Sequence, residues 1–474
     1  MMYRIPDEYF FRLHHVRPRF KGNVEEVLLY VANSIANLQQ QPKAMFNQGL
    51  NEILKGFERN ILATTKTIDN WRTEISALFG FIQEYNGRLF PARNATRLAE
   101  NQYLDEFFNY FLYSFQYPGG HVRPDSVIKQ IQADVRFRPC EYILQILIEG
   151  EQLIGKPFSI TAEELTFCAY FDLRVTRDHR PARDVAALIQ YNRQEKVDYF
   201  YQYEALCKKD GTFPSKGDVC RYAGDILDYM VLADLLNDKG SGFYYYLNNN
   251  SQKAIDYHLQ SPTWFSAYDT YYGKDNITGK EIRELEEDWF AYVNGFDHID
   301  AFSPNLDDNE QENIAQLIQE YYGQLSGGRN VPTKIFGDYG ETLVIAHEFL
   351  RTRELSKRQH LINKIPTALG VGYDIQSIEI EKGKRYIEVK TTKSKKALNN
   401  NRFRLTPNEW DTAESLGERY FIYYLVVNDH QKNIFVIQDP SKQFAKGNIK
   451  VDQNLVVEFN LQSGIWQQLL ETEN

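Results

Sequence analysis

The chain has 474 residues, of which 43% are hydrophobic and 25% are charged, and its formal net charge is −10. This is the composition of a soluble globular protein of two or more domains, and the negative charge argues against a nucleic-acid partner for the surface as a whole. Because the sequence contains no run of roughly 18 apolar residues, it predicts no transmembrane helix.

Neither the N-terminus nor the cysteines point to secretion or to a structural metal. The N-terminal stretch MMYRIPDEYFFRLHHVRPRF lacks the apolar segment of a secretory signal. The cysteines, Cys140, Cys168, Cys207 and Cys220, are far apart and form no CxxC pair, which argues against a zinc site or a disulfide framework. We therefore expect a cytoplasmic protein without a membrane partner.

The first part of the chain has the pattern of helices followed by a short hairpin. VEEVLLYVANSIANL has apolar residues at helical spacing. A later helix, capped by Asp69 or Asn70, precedes FIQEYNGRLF, in which Asn86-Gly87 is a strong hairpin signal. A helix that ends in such a hairpin is typical of a winged-helix unit, and we assign residues 1–150 to a helical, winged-helix-like DNA-recognition region.

A second unit of this kind is predicted in residues 151–325. SITAEELTFCAYF is a helix capped by Ser159 or Thr161, and GDILDYMVLADLL is a helix followed by the turn 239–242 and the strand FYYYL. The acidic stretch 281–311 has the composition of a connector, although Trp289 and its aromatic neighbours indicate that part of it is packed.

Arginines in this N-terminal part are candidates for DNA contact. Arg72 lies on the helix before the first hairpin, and RVTRDHRPARD (174–184) brings together Arg174, Arg177, Arg180 and Arg183. Arginines can bind phosphates or reach guanine bases in the major groove. A salt-bridged loop is the alternative, since acidic residues are part of the same segment.

GQLSGGRNVPTK (323–334) marks a domain boundary, and we assign residues 326–474 to a separate α/β domain with a mixed sheet. The predicted order is α, β, β, β, α, β, β: a helix within 337–355, the strands GYDIQSIEI, RYIEVKTT and NRFRLT, the helix TPNEWDTAESL, a buried central strand in GERYFIYYLVV, and NIFVIQDP closing the sheet. Thr406 and Glu409 form a capping box, which explains Glu409 without catalysis, and Glu348 is predicted to be an exposed helix residue.

The predicted hairpin of this domain carries acidic and basic residues that are candidates for catalysis. Alternation along YIEVKT puts Ile387 and Val389 on one face, and Glu388 and Lys390 on the other. If Asp374 on the neighbouring strand lies beside Glu388, the two carboxylates repel unless a cation separates them, and such oxygen ligands suit Mg²⁺. With a lysine beside them, these residue types fit phosphodiester hydrolysis. A plain surface ion pair is the alternative.

The Asp…Glu-X-Lys hairpin behind a helix that carries a glutamate resembles the PD-(D/E)XK nuclease superfamily. More closely, GE at 340–341, GYDI at 372–375, RYIEVKTT and LTPNEW resemble the NO VEIN C-terminal domain family over about residues 335–440. The resemblance implies a restriction-endonuclease-like fold, with Asp374 and Glu388 as ligands of Mg²⁺, for which Mn²⁺ can substitute. It implies that Lys390 positions the nucleophilic water and that Glu341 contacts the metal through water. Gly-Tyr precedes Asp374 where the superfamily motif has proline.

A basic stretch follows the motif. Between Lys382 and Arg404 the chain has nine basic residues and one acidic residue, Glu388. Lys393, Lys395, Lys396 and Arg402 are candidates for a phosphate track beside the cleavage site, with a solvated loop as the alternative.

The N-terminal part also resembles, loosely, the winged-helix recognition domains of type IIS restriction enzymes. We therefore expect a Mg²⁺-dependent DNA endonuclease of restriction or mobile-element defence, which acts on double-stranded DNA as a homodimer at least during cleavage. One alternative is a nuclease-fold DNA-binding subunit without its own activity. Another is the nuclease subunit of a defence or transposition complex driven by a separately encoded ATPase, or one that works with a methyltransferase, since the chain has no GxxxxGK[ST] loop.

Overall fold

The computed structural model describes residues 1–16, 24–57, 65–119, 123–238, 243–303, 339–365, 369–379, 383–394, 401–428, 431–452 and 455–470. The chain divides into two compact units: Met1–Arg19, Gln39–Asn94 and Asp105–Ser303 form the first, and Phe20–Leu38, Ala95–Leu104 and Pro304–Asn474 form the second. The predicted three-part division stays a prediction, and the boundary segment 323–334 lies outside the described residues. Among the described helices, none has both the length and the apolar character that crossing a membrane requires.

The first unit is built mainly from helices. Its α-helices are Lys43–Gly56, Thr65–Phe79, Leu104–Ser114, Pro124–Gln132, Pro139–Ile154, Ala162–Leu165, Leu173–Thr176, Ala182–Gln194, Lys216–Leu232, Gln252–Gln260, Gly279–Glu284 and Glu286–Val293. The aromatic ring of Phe79 packs against those of Phe107, Phe108, Phe111 and Tyr229, with ring centroids 5.0 to 6.1 Å apart. Aromatic contacts of this geometry stabilise a core beyond the area that they bury.

The first predicted hairpin is confirmed. Helix Thr65–Phe79 is followed by strands Ile82–Tyr85 and Arg88–Pro91, which pair with each other, and Gln41–Pro42 pairs with the second of them. Asn86 and Gly87 have φ of 51° and 71°, as a two-residue turn of this kind requires. The predicted cap at Asp69 or Asn70 is wrong: the helix begins one turn earlier, because Ile68 and Trp71 extend its buried face.

The second predicted hairpin has the same arrangement. Strands Leu236–Asp238 and Tyr245–Leu247 follow helix Lys216–Leu232 and pair with each other, and Ser159–Ile160 pairs with Tyr245–Leu247. Thr161 caps the short helix Ala162–Leu165 in a capping box with Glu164. The turn 239–242 lies outside the described residues. Met2–Tyr3 and Asp198–Tyr199 form a separate parallel pair.

Part of the acidic stretch 281–311 is packed, as predicted. Helices Gly279–Glu284 and Glu286–Val293 lie within it or overlap it, and Trp289 and Phe290 are buried in a cluster with Phe265 and Tyr268. Residues 304–311 lie outside the described part.

The second unit contains a six-stranded mixed sheet. The strand order across it is Ile465–Gln468, Gln431–Gln438, Tyr420–Asn428, Lys384–Lys393, Ile375–Ile378 and Asn363–Lys364. Lys384–Lys393 and Tyr420–Asn428 are parallel, and the other neighbours are antiparallel. The α-helices of this unit are Val24–Ala36, Arg93–Asn101 from Ala95 onward, Tyr339–Arg351, Pro407–Leu416 and Pro440–Ala445.

Two details of the predicted sheet are wrong. Arg402–Arg404 is a strand, but it pairs with Val456–Phe459 in a separate sheet that also contains Ile449–Val451. Gln431–Gln438 does not close the main sheet, because Ile465–Gln468 pairs with its outer edge. Both errors come from strands near the C-terminus whose partners are distant in sequence.

Apolar cores cover both faces of the main sheet. On one face, helix Tyr339–Arg351 packs with Ile375, Ile387 and Leu425. On the other face, Tyr420, Ile422 and Tyr424 pack with Ala413 of helix Pro407–Leu416 and with the small sheet. Strand Tyr420–Asn428 is therefore buried on both sides, which explains its continuous apolar run and confirms it as the central strand.

The predicted exposure of Glu348 is wrong. Its side chain is fully buried, and it accepts hydrogen bonds from Arg351 (2.5 and 2.8 Å), Ser377 (2.5 Å) and Tyr423 (2.7 Å). Burial opposes ionisation of Glu348, but Arg351, Arg385 and Ser377 hold its pKa below the usual range. A buried carboxylate is stable here because four partners compensate its desolvation.

Candidate active site

Of the predicted pair of carboxylates, Glu388 lies on strand Lys384–Lys393, and Asp374 lies immediately before the antiparallel strand Ile375–Ile378. The amide of Asp374 donates to the carbonyl of Ile387 (2.9 Å), so that Asp374 lies beside the part of the neighbouring strand that carries Glu388. The amide of Val389 donates to Oδ2 of Asp374 (2.8 Å), which fixes this carboxylate against the second strand.

Lys390 lies beside the carboxylate of Glu388. Its Nζ lies 2.7 Å from Oε1 of Glu388, and the two side chains are only 15% and 4% exposed. Burial opposes the charge of Lys390, but Glu388 and Glu409 raise its pKa above the usual range, so that it stays an ammonium. Burial is the main cause that raises the pKa of Glu388, and Asp374 and Glu409 add to it, whereas Lys390 lowers it.

A third carboxylate, that of Glu409, belongs to the same cluster. Oε2 of Glu409 lies 3.2 Å from Nζ of Lys390. Glu409 also forms the predicted capping box with Thr406 at the start of helix Pro407–Leu416. When all three carboxylates are ionised, they exceed the ammonium by two negative charges, which a divalent cation would balance.

The donor set fits Mg²⁺ with water completing the coordination. In the part of the chain that the structure describes, no group of three or more His, Cys, Asp or Glu side chains is placed so that it could hold a metal ion. Mg²⁺ is commonly held by one or two carboxylates and keeps several waters. Asp374 and Glu388 supply such a pair of carboxylates.

Glu341 lies on the first turn of helix Tyr339–Arg351, and its Oε2 is 2.6 Å from Nζ of Lys364. Lys364 belongs to the edge strand and pairs in register with Ile375, next to Asp374. The ion pair with Lys364 therefore holds Glu341 near strand Ile375–Ile378, which begins directly after Asp374. The contact of Glu341 with a metal through water stays a prediction.

The predicted phosphate track is only partly described. Nζ of Lys393 lies 5.6 Å from the ring centroid of Tyr339. Arg402 forms an ion pair with Glu458 and lies over the ring of Tyr30, 4.9 Å from its centroid. Lys395 and Lys396 lie outside the described residues. These four side chains stay predicted phosphate contacts, and Arg402 would have to share its charge with a carboxylate.

The arginines predicted to contact DNA in the first unit differ in their partners. Arg72 donates to Oδ1 of Asn51 (3.2 Å). Arg174 binds the fully buried carboxylate of Asp172 (2.5 Å), and Arg177 binds Asp178 (2.7 Å), as the salt-bridge alternative predicted for this segment. For the guanidinium groups of Arg180 and Arg183, the described residues provide no hydrogen-bond or ion-pair partner. Arg183 is exposed, and Arg180 lines a pocket of about 480 Å³ with Arg136 and Trp264.

A second basic pocket was not predicted. It has a volume of about 340 Å³ and is lined by more basic than acidic side chains, which include Arg12, Glu74, Arg123, Lys208, Asp218 and Arg221. Burial, together with Arg123 and Arg12, lowers the pKa of His14 in this pocket to about 4. These residues come from four distant parts of the sequence, so that no local pattern indicates their proximity.

Two families of known proteins match different parts of the chain. The family described as "Restriction endonuclease BpuJI - N terminal" matches residues 3–290. The chain belongs to this BpuJI N-terminal family. A second family, described as "Protein NO VEIN, C-terminal", matches residues 340–437. The predicted resemblances to the NO VEIN C-terminal domain and to the recognition domain of a restriction enzyme are therefore confirmed.

Among solved structures, this member of the BpuJI N-terminal family is similar to one described as "Crystal structure of pyrene- and phenanthrene-modified DNA in complex with the BpuJ1 endonuclease binding domain". The two chains are 24% identical with a TM-score of 0.52, and the similarity covers 61% of this chain and 100% of that chain. At this identity the likeness shows a shared fold. No curated protein matches the chain.

Proposed function

We propose that this protein is a Mg²⁺-dependent DNA endonuclease of the PD-(D/E)XK type that serves in restriction or a related defence. The observation that carries the proposal is the cluster in which the carboxylate of Asp374 is bonded to the amide next to Glu388 and Nζ of Lys390 lies 2.7 Å from Glu388. Membership of the BpuJI N-terminal family and the match to the NO VEIN C-terminal domain support a protein that combines DNA recognition with a nuclease.

Recognition of double-stranded DNA is assigned to the first unit. Its two helix–hairpin units, each completed by a short additional strand, support a pair of winged-helix-like elements. The pocket residues Arg180, Arg12 and Arg123 and the exposed Arg183 supply positive charge that phosphates would neutralise. Local basic surfaces can attract DNA although the net charge is −10, because salt screens charges more than about 8 Å apart.

Cleavage is assigned to the second unit. Asp374 and Glu388 would hold Mg²⁺, which supplies charge neutralisation at the phosphoryl group and a lowered pKa of its water. Lys390 orients the attacking water and stabilises negative charge on the scissile phosphate, since its ammonium is held in a largely buried site. One such centre per chain cuts one strand, so that two chains acting together would cut both.

The test is digestion of modified and unmodified genomic DNA by the purified full chain with Mg²⁺, followed by sequencing of the ends. We expect Mg²⁺-dependent cleavage at recurrent sequences, loss of cleavage in Asp374→Ala and Lys390→Ala, and normal cleavage in Lys384→Ala. Lys384 is the matched control because it lies on the same strand but is exposed. Equal cleavage by wild type and Lys390→Ala overturns the assignment. DNA binding without cation binding would instead indicate a recognition subunit.

A further inference from the structure

One oxygen of Glu409 makes two contacts with different purposes. Oε2 accepts from the amide of Thr406 (2.9 Å) and from Nζ of Lys390 (3.2 Å). A capping box requires only the first of these. The capping box of Thr278 and Glu281 shows the ordinary case: Oε2 of Glu281 accepts from the amide (2.8 Å) and from the hydroxyl (2.7 Å) of Thr278, so that both contacts belong to the cap. The contact with Lys390 is thus additional to helix capping.

The helix that carries Glu409 is attached to the segment that leads into Asp374. Asn408 donates to the carbonyl of Gly370 (2.8 Å), and Thr412 donates to that of Val371 (3.2 Å). Gly372 has φ of 77°, and a Cβ at this position would lie 2.3 Å from Oγ1 of Thr412. The close approach is possible only with glycine, and it fixes the position of Glu409 relative to the strand of Asp374.

Lys390 needs a second partner if Glu388 binds a cation. In the described structure, the ammonium lies between Glu388 and Glu409. A divalent cation at Glu388 would repel the ammonium and compete for the carboxylate oxygens. A carboxylate on the far side of the ammonium would retain it within reach of the reacting phosphate.

We infer that Glu409 is a positioning residue of the proposed nuclease centre, which holds the ammonium of Lys390 in place when Glu388 is engaged by a divalent cation. This inference rests on the proposed function, because it concerns the same site. Glu409 contacts neither the substrate nor the cation in this role, and it acts through Lys390.

The experiment compares Glu409→Gln with Glu281→Gln in the full chain. Glutamine can replace glutamate in a capping box, so that both variants keep their helix caps and lose one negative charge. Turnover and KM are measured on a DNA that the wild type cuts, Mg²⁺ affinity is measured by calorimetry without DNA, and stability is measured by thermal melting. We expect Glu409→Gln to lower kcat by about 10-fold, because a neutral amide oxygen holds an ammonium less strongly than a carboxylate does. KM and the melting temperature should match those of Glu281→Gln.

Two further variants distinguish the positioning of Lys390 by Glu409 from helix capping and from a direct effect of the Glu409 charge on Mg²⁺ binding. Thr406→Ala weakens the cap but leaves the contact with Lys390, so that it should lower the melting temperature and keep kcat. With Lys390 present, Glu409→Gln should weaken the Mg²⁺ affinity by about 10-fold. In a Lys390→Met background, Glu409→Gln should leave the Mg²⁺ affinity unchanged.

The outcomes distinguish the inference from the proposed function. If Glu409→Gln matches Glu281→Gln in every measurement while Asp374→Ala has lost Mg²⁺ binding and cleavage, Glu409 is a helix cap only and the nuclease assignment stands. An equal loss of Mg²⁺ affinity with and without Lys390 would show a direct charge effect and overturn positioning. A wild type that neither binds Mg²⁺ nor cuts DNA overturns the proposed function and this inference with it.

Discussion

Lys390 and Glu388 form an ion pair with a separation of 2.7 Å on a single strand, two residues apart, in a position where Glu388 is only 4% exposed. A buried ion pair recovers its desolvation cost only when all its charges are balanced. Here Asp374 and Glu409 add two further carboxylates, and both raise the pKa of Glu388. The cluster is therefore arranged at a cost to stability, as is common at functional sites.

This charge imbalance predicts that Asp374→Asn stabilises the metal-free protein. The amide oxygen of asparagine can still accept from Val389, so that the substitution removes charge and keeps the hydrogen bond. We expect the melting temperature without Mg²⁺ to rise by about 1–3 °C. Added Mg²⁺ should raise the melting temperature of the wild type, because binding stabilises the folded state by about 2.7 kcal/mol at 100 times the Kd. The melting temperature of the variant should not change with Mg²⁺.

The control for this prediction is Asp411→Asn, which removes an exposed carboxylate of helix Pro407–Leu416. Its melting temperature should follow that of the wild type with and without Mg²⁺. A variant Asp374→Asn that melts below the wild type and is still stabilised by Mg²⁺ would contradict a cation site at Asp374.

The sequence predicted those parts of the site that depend on local pattern. Alternation along YIEVKT placed Glu388 and Lys390 on one face, and the Thr406–Glu409 spacing predicted the capping box. The contact of Glu409 with Lys390 could not be predicted, because it depends on how a helix packs on a sheet. The pairing of Arg402–Arg404 with Val456–Phe459 likewise joins segments that are far apart in the chain.

Glu348 shows a different limit of sequence patterns. Its position on a helix that also carries polar residues suggested exposure. The structure buries it, because Arg351, Ser377 and Tyr423 provide partners from two other elements and from its own helix. Whether a charged residue in a helix is buried or exposed can therefore be predicted only when its partners are known.

Glu348→Ala should strongly destabilise the second unit. The substitution would leave Arg351, which is 14% exposed, without its main carboxylate partner, and it would leave a cavity. Removal of one partner of a buried ion pair costs about 3–5 kcal/mol. Urea unfolding should show this loss as a lower midpoint, whereas Glu354→Ala, an exposed position close by, should change the free energy of unfolding by less than about 0.5 kcal/mol. Similar midpoints for both variants would contradict the network.

The arginine segment 174–184 should divide into structural and DNA-binding members. Arg174→Ala removes the ion-pair partner of the fully buried Asp172, whose Oδ1 keeps only the backbone amide of residue 174 among the donors shown here, and we expect a loss of about 3 kcal/mol in the free energy of unfolding. Arg180→Ala and Arg183→Ala should melt like the wild type but weaken DNA binding, and each should reduce the slope of log K against log salt by about 1. Fluorescence anisotropy at several salt concentrations measures this slope, and an unchanged slope in both variants removes these arginines from the interface.

His258 should make the first unit sensitive to acid. Its ring is fully buried, with Nε2 3.1 Å from Oδ1 of Asn109 and Nδ1 3.8 Å from Sγ of Cys140. The amide nitrogen of Asn109 is used by the carbonyls of Asp105 and Ala233, so that its oxygen faces the ring and requires a proton on Nε2. Burial, and to a lesser extent Arg138, lowers the pKa of His258 from 6.5 to about 3.

A folded-state pKa below that of the unfolded chain means that the unfolded state binds the additional proton. The stability that His258 maintains is thus fully present above pH 6.5 and is lost as the pH falls toward 3. We expect a loss of about 2 kcal/mol between neutral pH and pH 5 from this residue alone. Thermal melting from pH 7.5 to 5 should show a shallower pH dependence in His258→Gln than in the wild type, whatever its stability at neutral pH. His298→Gln, at an exposed histidine, should keep the wild-type dependence, and parallel curves for all three proteins would show that His258 does not cause the acid sensitivity.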